Sequence, residues 1–126
     1  MHPKELLYSE DHVWCKRELD GNIRLGMTFF YQEKLKHIVY IDLPQVDTKL
    51  SKGEPIASFE SSKIASDLVS PISGTIIESN NELADKPGIV NKDPYEQGWM
   101  LLIKPSQPIE LDDMLTAQEY IHLILQ

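Results

Sequence analysis

The apolar residues of this chain come in short, often alternating runs separated by turn residues, and that punctuation constrains the fold more than any other feature. A period of two over about four to eight residues, bounded by Gly, Pro, Asn or Asp, belongs to half-buried antiparallel strands. Val13 to Glu18 reads as a first strand, Asp20-Gly21-Asn22 supplies turn chemistry, and Ile23 to Leu25 returns as its hairpin partner. Thr28 is placed to cap a short helix running to about Lys36. Further strands are expected over Ile38 to Leu43, Ile56 to Phe59, Ile64 to Val69, Thr75 to Glu78 and Trp99 to Ile103. Asn81 opens a short acidic helix that Pro87-Gly88 stops, and Asp93 to Gly98 is a loop. Leu111, Met114, Leu115, Tyr120, Ile121 and Ile124 give a C-terminal helix a packing face, with Glu110, Asp112 and Asp113 at its start.

At 126 residues the chain is long enough for one domain, which buries about two thirds of its unfolded surface without disulfide or metal. The net charge of −8 repels phosphate backbones and anionic lipid, which argues against nucleic-acid and membrane-surface roles. No run reaches the roughly 18 apolar residues of a membrane span. The first twenty residues carry charges throughout, so no signal peptide is expected and the location is read as cytoplasmic. A mitochondrial location would require that a transit peptide has been removed.

Residues that carry chemistry are sparse. His2, His12, His37 and His122 are far apart and in no metal-ligand spacing. No nucleophile elbow or phosphate loop is present. In an extended segment Val13 and the single cysteine, Cys15, share one face while His12, Trp14 and Lys16 share the other, so Cys15 reads as a small core residue. Trp14 and Trp99 read as core or rim aromatics, and Lys34 and Lys36 as solvated helix residues. What stands out is Glu60-Ser61-Ser62-Lys63-Ile64-Ala65, a lysine at the turn between two short strands, flanked by small side chains. Gly53 precedes Lys63 by ten residues and Gly74 follows it by eleven, a near-symmetric placing around a central hairpin. On composition alone Lys63 is one more solvated turn lysine.

The wider pattern changes that reading. Ile56 to Leu68, followed by Ser70-Pro71-Ile72-Ser73-Gly74-Thr75-Ile76, resembles the lipoyl-attachment region of the glycine cleavage system H protein family. The likeness extends through Tyr8 to Trp14, Gly26-Met27-Thr28 with Gln32 and Leu35, and Ile38 to Pro44. It continues in Asn80 to Leu83, Pro87, Val90-Asn91, Asp93-Pro94-Tyr95 and Gly98-Trp99. The resemblance implies a mainly β fold, a barrel-sandwich hybrid of two antiparallel sheets with short helices and a C-terminal helix. One domain over 1–126 is expected, with 1–7 as an N-terminal extension and 109–126 as a C-terminal helical segment.

It further implies lipoate joined by an amide to Lys63, with Glu60, Ser61, Ser62, Ile64 and Asp67 as the motif around the attachment lysine. The chain would be a non-catalytic, monomeric carrier. It would take an aminomethyl group from a pyridoxal-phosphate glycine decarboxylase to a tetrahydrofolate-dependent aminomethyltransferase, with a dihydrolipoyl dehydrogenase reoxidising the arm. A lipoate-attaching enzyme is a further implied partner.

Several positions depart from the family. It usually carries glutamate at Val13, alanine or histidine at Tyr31, Gly-Asp at Lys36-His37, and valine and alanine at Ser62 and Ile64. Val13 and Tyr31 fall in segments expected to line the cleft for the loaded arm, where a carboxylate would stabilise an ammonium group and valine does not. Two alternatives therefore stand beside the carrier of glycine cleavage. One is a lipoylated H-like protein for lipoate relay or a redox- or stress-linked modification pathway. The other is an unmodified interaction domain of the same fold. A biotin carrier is disfavoured, because Ser62 and Ile64 replace the methionines that flank a biotinyl lysine.

Overall fold

The computed structural model describes residues 1–126. The strands are β1 (Leu7–Tyr8), β2 (Val13–Arg17), β3 (Ile23–Met27), β4 (Ile38–Asp42), β5 (Lys49–Leu50), β6 (Pro55–Ser61), β7 (Ala65–Val69), β8 (Gly74–Ser79) and β9 (Leu101–Pro105). The helices are α1 (Phe29–Leu35), α2 (Glu82–Asp85), α3 (Ile89–Lys92) and α4 (Ala117–Ile124), with a 3-10 turn over Pro108–Asp113. Six strands form one antiparallel sheet in the order β1-β2-β3-β9-β8-β5, and three form another in the order β4-β6-β7. This is the expected mainly β architecture.

Alternation places the core between the sheets. The six-stranded sheet contributes Val13, Cys15, Ile23, Leu25, Met27, Ile76 and Ile103, and the three-stranded sheet contributes Ile41, Ile56, Phe59 and Leu68 to the same cluster. Each of these Val, Ile, Leu, Met and Phe side chains gains about 1.5–3 kcal/mol from leaving water. Cys15 is a small core residue as expected, and burial pushes its thiol pKa up. Trp14 points the other way, into a smaller cluster with Leu6, Tyr8, Ala117 and Tyr120. Its indole lies flat on Gly26 across the β2–β3 pair, where a Cβ would stand 3.0 Å from the ring.

The end of the 1–7 segment packs onto the fold: Leu6 is buried, and Leu7 pairs with Cys15 in the sheet. Other expectations are corrected. The C-terminal segment is not one continuous helix. It begins as the 3-10 turn, Leu115 then bridges to Tyr8, and α4 starts afresh at a capping box between Thr116 and Glu119. Glu110 lies in the 3-10 turn, where it accepts from the Ser73 backbone N–H at 2.7 Å and from the Ser73 hydroxyl at 3.1 Å. Pro87-Gly88 stops α2 but directly precedes α3, and β5 falls in a stretch too polar to announce a strand.

Candidate functional site

Lys63 sits at the tip of the β6–β7 hairpin, and the tip is built by Ser61. The Ser61 hydroxyl oxygen accepts from the Lys63 and Ile64 N–H groups, both at 3.1 Å, while the Ser61 N–H donates to the Ile64 carbonyl at 2.8 Å. The small flanking residues Ser62 and Ala65 are exposed, as are Lys63 and Ile64. The structure's one ion pair joins Arg24 to Glu18, so no carboxylate neutralises the Lys63 amine. Glu60 lies opposite Ala65 on the hairpin, and Asp67 lies opposite Ser58, whose hydroxyl donates to its carboxylate at 2.8 Å. All six residues singled out in the sequence therefore lie on one hairpin.

A residue that the sequence reading did not single out fixes where that hairpin points. Asn91, on α3, accepts from the Ile38 N–H at 2.9 Å and donates to the Lys36 carbonyl at 2.6 Å and to the Gln32 side-chain oxygen at 2.9 Å. It thereby grips both neighbours of His37, whose carbonyl accepts from the Ser62 N–H at 2.9 Å. The lysine turn is thus tied to the junction between α1 and β4. Among the sequence signals, only the Val90-Asn91 pair within the resemblance touched this residue.

Beside Lys63 lies an open groove of about 470 Å³, walled by Met1, His2, Phe29, Phe30, Glu33, Lys34 and Lys36. Most of that wall is α1. Thr28 caps the helix by accepting from the Tyr31 N–H at 3.3 Å. The Tyr120 hydroxyl stands 2.9 Å from the Thr28 hydroxyl and 2.8 Å from His12 Nδ1. Burial pushes the Tyr120 pKa up to about 12 and holds His12 below its usual value. Neither Val13 nor Tyr31 lines this groove. Val13 points into the main core, and Tyr31 is half-buried, stacked on the His12 ring at 4.8 Å. The groove's one carboxylate is Glu33, and Lys34 and Lys36 share its wall.

With that geometry in hand, comparisons with known proteins agree on one family. The family model described as glycine cleavage H-protein matches residues 6–126. The glycine cleavage system H protein of Geobacillus thermodenitrificans is 46% identical over 122 residues, covering 97% of this chain and 95% of the relative. That of Oceanobacillus iheyensis is 44% identical over 118 residues, covering 94% of this chain and 93% of the relative. The crystal structure of a glycine cleavage system H protein from Mycobacterium marinum superposes with a TM-score of 0.89 at 34% identity, covering 98% of this chain and 99% of that one.

Proposed function

This chain belongs to the glycine cleavage H-protein family, and from that membership we propose that it is a lipoyl carrier with lipoate joined as an amide to Lys63. The observation that carries the reading is the exposed, unpaired Lys63 amine on a hairpin tip braced by Ser61. Attachment forms one C–N bond from Nζ to the lipoyl carbonyl carbon of an acyl adenylate. The carbonyl–phosphate bond breaks, AMP leaves and the amine gives up a proton. The small side chains of Ser61, Ser62 and Ala65 and the exposure of the tip leave room for that approach. Lipoate, when bound, supplies a dithiol–disulfide pair that takes up the aminomethyl unit and is afterwards reoxidised.

The chain's own part is to hold and present. Lysine stem and arm together reach on the order of 12–15 Å, and tethering raises the local concentration of the carried group at each enzyme visited. The partners in this reading are glycine decarboxylase, aminomethyltransferase and dihydrolipoyl dehydrogenase, together with the enzyme that attaches lipoate. A second reading, a lipoylated carrier for another pathway, is favoured by the groove. Lys34 and Lys36 against the single carboxylate of Glu33 disfavour an ammonium group there.

Co-expression with a lipoate–protein ligase, followed by intact mass, should show one lipoyl group on the wild type and none on Lys63→Arg. An unmodified wild type sinks the carrier reading. Modified protein should then stimulate glycine–bicarbonate carbon exchange by glycine decarboxylase; lipoylation without stimulation selects the second reading.

A further inference from the structure

We propose that the outer edge of β7 is a docking strip on which the enzyme that acylates Lys63 lays an extended segment as a fourth strand of the β4-β6-β7 sheet. The inference rests on Lys63 being the attachment site.

The register determines which groups are available. Ser61 and Ile64 form a hydrogen-bonded pair at the turn, with 2.8 Å from the Ser61 N–H to the Ile64 carbonyl. Antiparallel pairs alternate between bonded and non-bonded. Glu60–Ala65 and Ser58–Asp67 are therefore the non-bonded pairs. At these pairs β6 turns its backbone groups toward β4, where Glu60 meets Tyr40 and Ser58 meets Asp42. Ala65 and Asp67 must correspondingly turn their N–H and C=O groups away from β6. No protein group meets them there, and both residues are exposed.

The other sheet edges are protected. β1 is closed by the Tyr8–Leu115 bridge, with bonds of 2.7 and 2.8 Å. β5 is only two residues long. β4 lies beside α2 and gives its Ile38 N–H to Asn91. Five residues of open edge are a hazard that proteins ordinarily blunt, and here Ala65 and Ser66 put little bulk in the way. The strip begins two residues after Lys63, so an active site closed over the lysine amine must also cover it. Backbone pairing of this kind supplies affinity while side chains on alternate positions supply selectivity. Asp42, Glu60 and Asp67 share the outer face of the sheet by register, so the entering segment should carry Lys or Arg on that side.

Proline separates backbone from side chain, because at Ala65 or Asp67 it removes an outward N–H without touching a β6–β7 bond. With a lipoate–protein ligase, ATP and lipoic acid, Ala65→Pro should lose at least about tenfold in kcat/KM relative to Ala65→Ser, mostly through KM. Asp67→Pro should fall likewise against Asp67→Ala. Hydrogen exchange on Lys63→Arg bound to the ligase gives an independent readout in a chain with its native edge. The Ala65 and Asp67 amides should become protected. Proline variants modified as fast as their controls, or amides that keep exchanging in the complex, overturn the docking strip while leaving Lys63 as attachment site. A wild type that takes no lipoyl group overturns the carrier reading and this inference with it.

Discussion

Lys36→Gly should stabilise this protein. Lys36 ends α1 with φ +66° and ψ −138°, a conformation that suits glycine and strains any residue with a Cβ. The strain persists because the backbone is held on both sides. The Lys36 N–H donates to the Gln32 carbonyl at 3.0 Å, and the Lys36 carbonyl accepts from Asn91 at 2.6 Å. Backbone strain of this kind costs about 1–3 kcal/mol, while glycine's extra freedom in the unfolded chain gives back about 0.5–1 kcal/mol. The net gain is about 1 kcal/mol. Unfolding entropy of about 2.1 cal/mol/K per residue converts that into a Tm rise of roughly 4 °C for a chain of 126 residues. Thermal and urea unfolding should be compared with Lys36→Ala, which removes the same charge and keeps the Cβ. Lys36→Gly melting no higher than Lys36→Ala would refute the reasoning.

Tyr120→Phe removes the hydroxyl between His12 and Thr28 and should cost about 1–3 kcal/mol in urea unfolding, because Thr28 loses a buried bond and His12 a part-buried one. Burial, more than the nearby Lys34, lowers the His12 pKa from 6.5, and Asp11 opposes the shift. The unfolded chain therefore binds that proton more readily, so stability should fall as pH drops below 6.5, through the lowered value, and His12→Gln should flatten this fall. Ser61→Ala should leave stability within about 1 kcal/mol, since the turn is exposed, yet slow lipoyl attachment by loosening the tip. Gly74→Ala should cost about 1–3 kcal/mol by driving a Cβ into the Lys104 carbonyl and the Ile103 side chain, read as a drop in Tm.

Much of the site is local, and local chemistry is legible in a sequence. The alternation of Ile56 to Phe59, the small residues around Lys63 and the strand that follows specify a hairpin with a lysine at its tip, because turn and strand preferences act over a few neighbouring residues. The same reasoning places Cys15 in the core and Thr28 at the start of a helix. The C-terminal helix is present, but it starts later than its apolar spacing suggests, for a related reason. Its apolar spacing runs unbroken from Leu111 to Ile124, whereas the competing Leu115–Tyr8 bridge depends on a strand more than a hundred residues away.

What the sequence by itself determined, then, is the kind of elements, the core-facing positions and the lysine-bearing turn. Its family resemblance added the function to be expected of that lysine. Only the tertiary structure decided that Val13 points into the core and away from the groove, and that α1 supplies most of the groove's wall. It alone decided that Asn91 couples the lysine turn to the α1–β4 junction and that β7 lies at an unprotected edge. The physical reason is one of range. Alternation and turn chemistry are properties of adjacent residues, whereas groove lining, hydrogen bonds such as Ile38 to Asn91, and edge position depend on sheet order across the whole chain.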